Sequence, residues 1–166
     1  VVFSLGAPHG ITMDKYGRLW TCGFGSANTG IYVVNQDGTP ADISPIGTVT
    51  VGGTTIPTKT ACRGITTDHE GHILVVINSV NLVRLDVDTG EGLALATFDA
   101  SQTKPGVDDD GYAYLARVVP SGTATTTDVN IVDIEGGLST DATVSVEPVM
   151  LARSIAASGD GLNMYI

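Results

Sequence analysis

Residues 8–20, Pro-His-Gly-Ile-Thr-Met-Asp-Lys-Tyr-Gly-Arg-Leu-Trp, return in altered form three more times along the chain. The copies are residues 62–74 (Cys-Arg-Gly-Ile-Thr-Thr-Asp-His-Glu-Gly-His-Ile-Leu), the shorter 105–114 (Pro-Gly-Val-Asp-Asp-Asp-Gly-Tyr-Ala-Tyr) and 153–165 (Arg-Ser-Ile-Ala-Ala-Ser-Gly-Asp-Gly-Leu-Asn-Met-Tyr). In each, a short apolar run meets Asp-x-x-Gly, or Ser-x-x-Gly in the last, followed by a run rich in β-branched and aromatic residues. Asp or Ser at the first position accepts a bond from the backbone two residues on, and Gly at the fourth tolerates positive φ. Each copy therefore reads as strand, tight turn, strand.

Gly17, Gly71, Gly111 and Gly161 lie 54, 40 and 50 residues apart, the spacing of propeller blades. Residues 1–166 are read as one all-β propeller portion of about three and a half four-stranded blades. Residues 1–5 would be an outer strand of a preceding blade, with blades at 10–51, 64–99 and 105–148 and the start of another at 153–166. Blade one should place strands near Gly10–Asp14, Arg18–Gly23, Gly30–Asn35 and within Ile46–Val51, with Gly52–Thr60 a long connection. Blade two should place them near Gly64–Asp68, His72–Ile77, Asn81–Val87 and Gly92–Phe98. Blade three should use Tyr112–Val118, Asp128–Ile134 and Ala142–Glu147, its first strand unassigned and Pro120–Thr127 a flexible insertion. No window carries helical periodicity, so almost no helix is expected. A closed ring needs at least four blades, and Ile166 falls inside a strand, so the expectation is a portion of a longer polypeptide.

Eighteen acids against eight bases give a net charge of −10, which argues against nucleic acid or an anionic membrane as a partner. No apolar run approaches a membrane span of roughly 18 residues. Abundant Gly, Thr, Val and Asp with scarce Lys suggest an extracellular, periplasmic or cell-surface setting.

Pro-His-Gly-Ile-Thr-x-Asp-x-x-Gly-x-Leu-Trp, followed by Gly-Ile-Tyr-Val-Val-Asn-x-Asp-Gly, resembles the repeat of the propeller assemblage that includes NHL-repeat, gluconolactonase-like and streptogramin-lyase-like proteins. The last copy looks more like the YVTN lactonase type. In streptogramin lyases the blades often read Leu-Trp-Phe-Thr-Glu, and the acid/base chemistry rests on His and Glu residues on one face. Here Cys22 stands in the place of that Glu, and only His9 has a comparable position.

His9, Arg63 and Arg153 each precede the first residue of an innermost strand, so they should ring the channel mouth and hold a small anionic ligand, or else bridge neighbouring blades. Cys22 and Cys62 should meet on this face, as a disulfide or as two buried thiols. Asp108, Asp109 and Asp110 offer carboxylates of the kind Ca²⁺ takes, but they coincide with the turn and lack the other ligands. They read as solvated turn acids. His69 and His72, expected on the opposite face, have only their spacing to suggest a metal. Trp20, Leu74 and Tyr114 should be interblade core. No cofactor or metal is expected.

The reading favoured is a secreted propeller acting as a binding and assembly module of a larger protein, leaning away from an enzyme. Its partner would be another protein or the remaining blades. The alternatives are a lyase or lactonase acting at the channel mouth and a ligand-sensing propeller of a signalling protein.

Overall fold

The computed structural model describes residues 8–23, 30–51, 53–58, 62–117, 127–136, 140–146 and 154–166. Val1–Leu5, Arg153 and most of the Pro120–Thr127 loop lie outside the described residues. The described residues contain strands and turns and no helix.

The strands fall into successive antiparallel sheets, each wound in chain order. β1 (Pro8–Met13), β2 (Leu19–Gly23) and β3 (Ile31–Val34) form the first. β4 (Thr48–Val51) and β5 (Thr54–Pro57) form a separate hairpin. β6 (Gly64–Thr67), β7 (Ile73–Ile77), β8 (Asn81–Leu85) and β9 (Gly92–Thr97) form a complete four-stranded blade. β10 (Gly106–Val107), β11 (Tyr112–Ala116), β12 (Thr127–Asp133) and β13 (Thr140–Val146) form another. β14 (Ala156–Ala157) and β15 (Met164–Tyr165) begin the next.

Two expectations for blade one fail. The fourth place beside β3 is held only by bridges from Val34 to Pro40 and from Ile31 to Ile46. A strand does lie within the expected Ile46–Val51, at Thr48–Val51, but it folds back on Thr54–Pro57, a stretch expected to be connection. Gly53, at φ +80°, permits that reversal.

Alternation along β2, β7 and β11 sends successive side chains to opposite neighbours. Ile73 and Val75 join Trp20, Cys22 and Ile65 in the core between blades one and two. Leu74 and Val76 instead join Ala113 and Leu115 between blades two and three. Tyr114 and Ala116 turn toward Ile155 at the next junction. The innermost strands β1, β6, β10 and β14 lie side by side in that order. Where β6 meets β10, a Cβ on Gly64 would sit 2.7 Å from the Lys104 Cα, so only glycine permits the approach.

The fourth hairpin is one residue longer than its sequence suggests. Asp14, Asp68 and Asp108 each donate their backbone N–H to the carbonyl four residues on, but Ser158 donates to Asn163, five residues on. Tyr165 consequently pairs with Ala156 and takes the blade position of Trp20, Leu74 and Tyr114.

Candidate functional site at the channel mouth

The lower end of each blade, where the Asp-x-x-Gly turns lie, is built from one device. One carboxylate oxygen of Asp14 accepts from Tyr16 N–H (2.9 Å) and Arg18 N–H (3.0 Å). Asp68 accepts likewise from Glu70 and His72, and Asp108 from Asp110 and Tyr112. The other oxygen reaches into the blade, to Trp20 Nε1 (2.7 Å) and Arg18 Nε (2.7 Å) for Asp14 and to Tyr114 Oη (2.6 Å) for Asp108. Leu74 offers no donor in blade two, where Arg84 from the third strand pairs its charge with Asp68, Nε lying 3.1 Å from the carboxylate but outside hydrogen-bond geometry. All three acids are buried.

Burial alone would raise the Asp14 pKa, but hydrogen bonds from Trp20, Arg18 and Tyr16 outweigh it and hold the carboxyl below its usual value. Burial first, and then the Asp108 carboxylate, push the Tyr114 hydroxyl up. Asp108 is thus a buried, fully bonded turn residue, which corrects its reading as a solvated acid; Asp109 and Asp110 are exposed as expected. With both Asp108 oxygens engaged, the triple-Asp run is turn architecture.

His69 is exposed and packs beside Gly111. His72 is half-buried, with Nδ1 2.7 Å from Arg84 Nη2. Ligand atoms of His69, Glu70 and Glu135 converge instead within 4.8 Å of one another. Arg84 already accounts for the two glutamates, contacting Glu70 at 2.5 Å and Glu135 at 3.1 Å.

The upper end, where the innermost strands begin, differs at each junction. Between blades one and two, Cys22 and Cys62 form a disulfide with Cα atoms 6.1 Å apart, closing a separation of 40 residues. Between blades two and three the contact is a bond from Gln102 N–H to Ser79 O (2.8 Å). Gln102 is fully buried and accepts from Asn130 Nδ2 at 3.0 Å. Arg63 Nε donates to Ser79 Oγ at 3.1 Å, so one edge of that guanidinium ties blade two's inner strand to its own second hairpin. Asn78 and Ser79 make that turn with φ of 51° and 64°, conformations uncommon outside glycine.

Counting back five residues from each turn acid or serine gives His9, Arg63, Thr103 and Arg153; counting back four gives Gly10, Gly64, Lys104 and Ser154. His9 and Arg63 are half-buried at this end. In blade three the backbone N–H of buried Thr103 bonds Ala116 O, as that of Arg63 bonds Val76 O. Lys104 lies against Gly64 and forms a parallel bridge with Ser154, which places a cation on the innermost line of the array. It was missed because Thr-Lys-Pro-Gly-Val has no apolar run to announce a strand. The offset from the turn acid was the available signal.

No known protein family's profile matches the sequence, and no curated protein is significantly similar to it. Solved structures do match. A chain of Kuenenia stuttgartiensis hydrazine synthase superposes with a TM-score of 0.73 at 13% identity over 95% of this chain and 42% of its own. Streptogramin B lyase follows at 0.56 and 16% identity, covering 91% of this chain and 44% of its own. Apo AztD from Citrobacter koseri gives 0.53 and 11%, covering 90% and 38%. The chain spans less than half the length of each. The chain has the β-propeller fold, as an incomplete ring, and at these identities the likeness shows the fold alone.

Proposed function

We propose that the chain is a binding and assembly module of an extracellular, periplasmic or cell-surface protein, without catalysis by this segment. A small anionic ligand would be held at the channel mouth by Arg63 and Lys104, with His9 and Arg153 at the same end. One observation carries this reading. In a protein with eight bases against eighteen acids, three of the bases stand in the two residues that open the innermost strands. Selection of charge against the overall field favours an anion, for which arginine offers paired donors and lysine a point charge. The Cys22–Cys62 bridge fits an oxidising compartment. The same bridge occupies the place where the resembled lyases carry a glutamate.

The test is calorimetric titration with inorganic phosphate and with citrate. Binding should weaken about tenfold in Lys104→Met, which keeps the stem packed on Gly64. Arg63→Lys should weaken it by a smaller factor, since paired donation is lost while charge remains. Absence of binding to either probe, or unchanged affinity in Lys104→Met, would end the channel-mouth reading.

A further inference from the structure

At their lower ends the junction of blades one and two and the junction of blades two and three share one plan but not one charge. Asp86 accepts from Asp88 N–H (2.9 Å) and Thr89 N–H (2.8 Å). Asp133 accepts from Glu135 N–H and Gly136 N–H, both at 2.9 Å, so Asp88 and Glu135 hold equivalent places in their blades. Lys15 and His69, each one residue past a turn acid, are equivalent too, and each lies beside the turn glycine of the following blade. At the first junction Lys15 Nζ stands 3.6 Å from Asp88. At the second, His69 takes that place, and one ligand atom each from His69, Glu70 and Glu135 lie within 4.8 Å of one another. Where one junction uses an ammonium, the next gathers an imidazole and two carboxylates.

The charges differ accordingly. Around the first contact Asp14 and Asp88 are balanced by Lys15 and Arg18, with Tyr16 and Val33 neutral. The same positions at the second junction hold Asp68, Glu70 and Glu135 against Arg84 alone, a deficit of two charges with His69 and His72 counted as neutral. Arg84 is stretched between all three acids. It reaches Glu70 and Glu135 through its two terminal nitrogens, while its Nε and the buried Asp68 Oδ2, 3.1 Å apart, have no hydrogen-bond partner. From this we infer that the junction binds one divalent transition-metal ion, with His69, Glu70 and Glu135 as its protein ligands. Imidazole with two carboxylates suits Zn²⁺ and its neighbours, whereas Ca²⁺ and Mg²⁺ take oxygen ligands. Each glutamate has a second oxygen, so it can bind the ion and still accept from Arg84, an outer contact of the kind that orients metal-bound carboxylates. All three ligands are exposed, so their side chains can close from 4.8 Å to the roughly 3.4 Å between ligands of a tetrahedral ion, with water in the remaining position. The ion would tie blade two to blade three as Lys15 ties blade one to blade two. The site lies at the opposite end of the blades from the channel mouth and does not depend on the ligand proposed there.

Calorimetric titration of the untagged 166-residue chain with Zn²⁺, its Cys22–Cys62 bridge intact so that no thiol competes, should show one ion bound per chain. The melting temperature should rise with added Zn²⁺. His69→Ala and Glu135→Gln should each weaken binding by at least about tenfold while leaving the circular dichroism unchanged. His69→Lys, which rebuilds the Lys15 arrangement, should abolish the Zn²⁺-dependent rise in melting temperature and leave the metal-free protein folded. Asp109→Ala, at the next junction, should bind as the unaltered chain does. Absence of Zn²⁺ binding, equally tight binding of Ca²⁺, or unchanged affinity in both His69→Ala and Glu135→Gln would each overturn the inference. Should one ligand variant misfold, the other and His69→Lys carry the test.

Discussion

The two ends of the blades solve the same problem in different ways. At the lower end the buried turn acids Asp14, Asp68 and Asp108 each clamp two backbone N–H groups. The residue after that acid lies beside a turn glycine of the next blade, Lys15 by Gly71 and His69 by Gly111. At the upper end one junction is covalent and the next rests on the bond from Gln102 N–H to Ser79 O. Uniform chemistry belongs to a part whose task is to hold blades in register. Varied chemistry, with cations standing against the net charge, suits the end proposed above to face a ligand.

The largest expected effect comes from breaking the lower device. Asp14→Ala strands the indole N–H of Trp20 and the Arg18 guanidinium in a buried site, and should cost about 3–5 kcal/mol in urea unfolding. If any acid of these turns served equally, Asp109→Ala, at an exposed neighbour of Asp108, would cost as much; the expected change is within about 0.5 kcal/mol. Next is the upper covalent junction. Cys22→Ser with Cys62→Ser should lower stability by about 2–4 kcal/mol, because the bridge restricts a loop of some forty residues in the unfolded chain. Intact mass before and after reductant checks it directly, and a mass for two free thiols in the untreated protein would remove the bridge.

Gly64→Ala follows, at about 1–3 kcal/mol, since its Cβ would meet backbone of Lys104 rather than a flexible side chain. The smallest effects are in pH dependence. Asp14 has a lowered folded pKa, so its contribution is present above its ordinary value of 3.8 and fades as pH falls through the folded value. Tyr114 has a raised one, so its contribution is complete below 10.0 and is lost as pH climbs past it. Tyr114→Phe should cost about 1 kcal/mol at neutral pH and flatten the alkaline limb of a stability–pH profile. An unchanged alkaline limb would show that Tyr114 is not the group responsible.

The hairpins were legible because a turn acid, a turn glycine and alternating side chains are local signals. Trp20, Leu74 and Tyr114 were correctly placed in the interblade core by that alternation alone. The strand Thr54–Pro57 was not legible, since it is short, rich in Thr and follows a glycine pair that equally suits a linker. Nor was Lys104, which sits in a strand too short to show periodicity.

The sequence by itself determined the repeating unit, its turn chemistry and the need of each sheet for neighbours, because these depend on contacts within a dozen residues. Only the tertiary structure decided that Asp108 is buried and bonded to Tyr114, that the charge of Arg84 stands against Asp68, and that Cys22 reaches Cys62. It also decided that one extra residue in the last turn moves Tyr165 onto the outward face. Each of these turns on which side of a sheet a residue faces and what stands across the gap, and neither is written in local spacing.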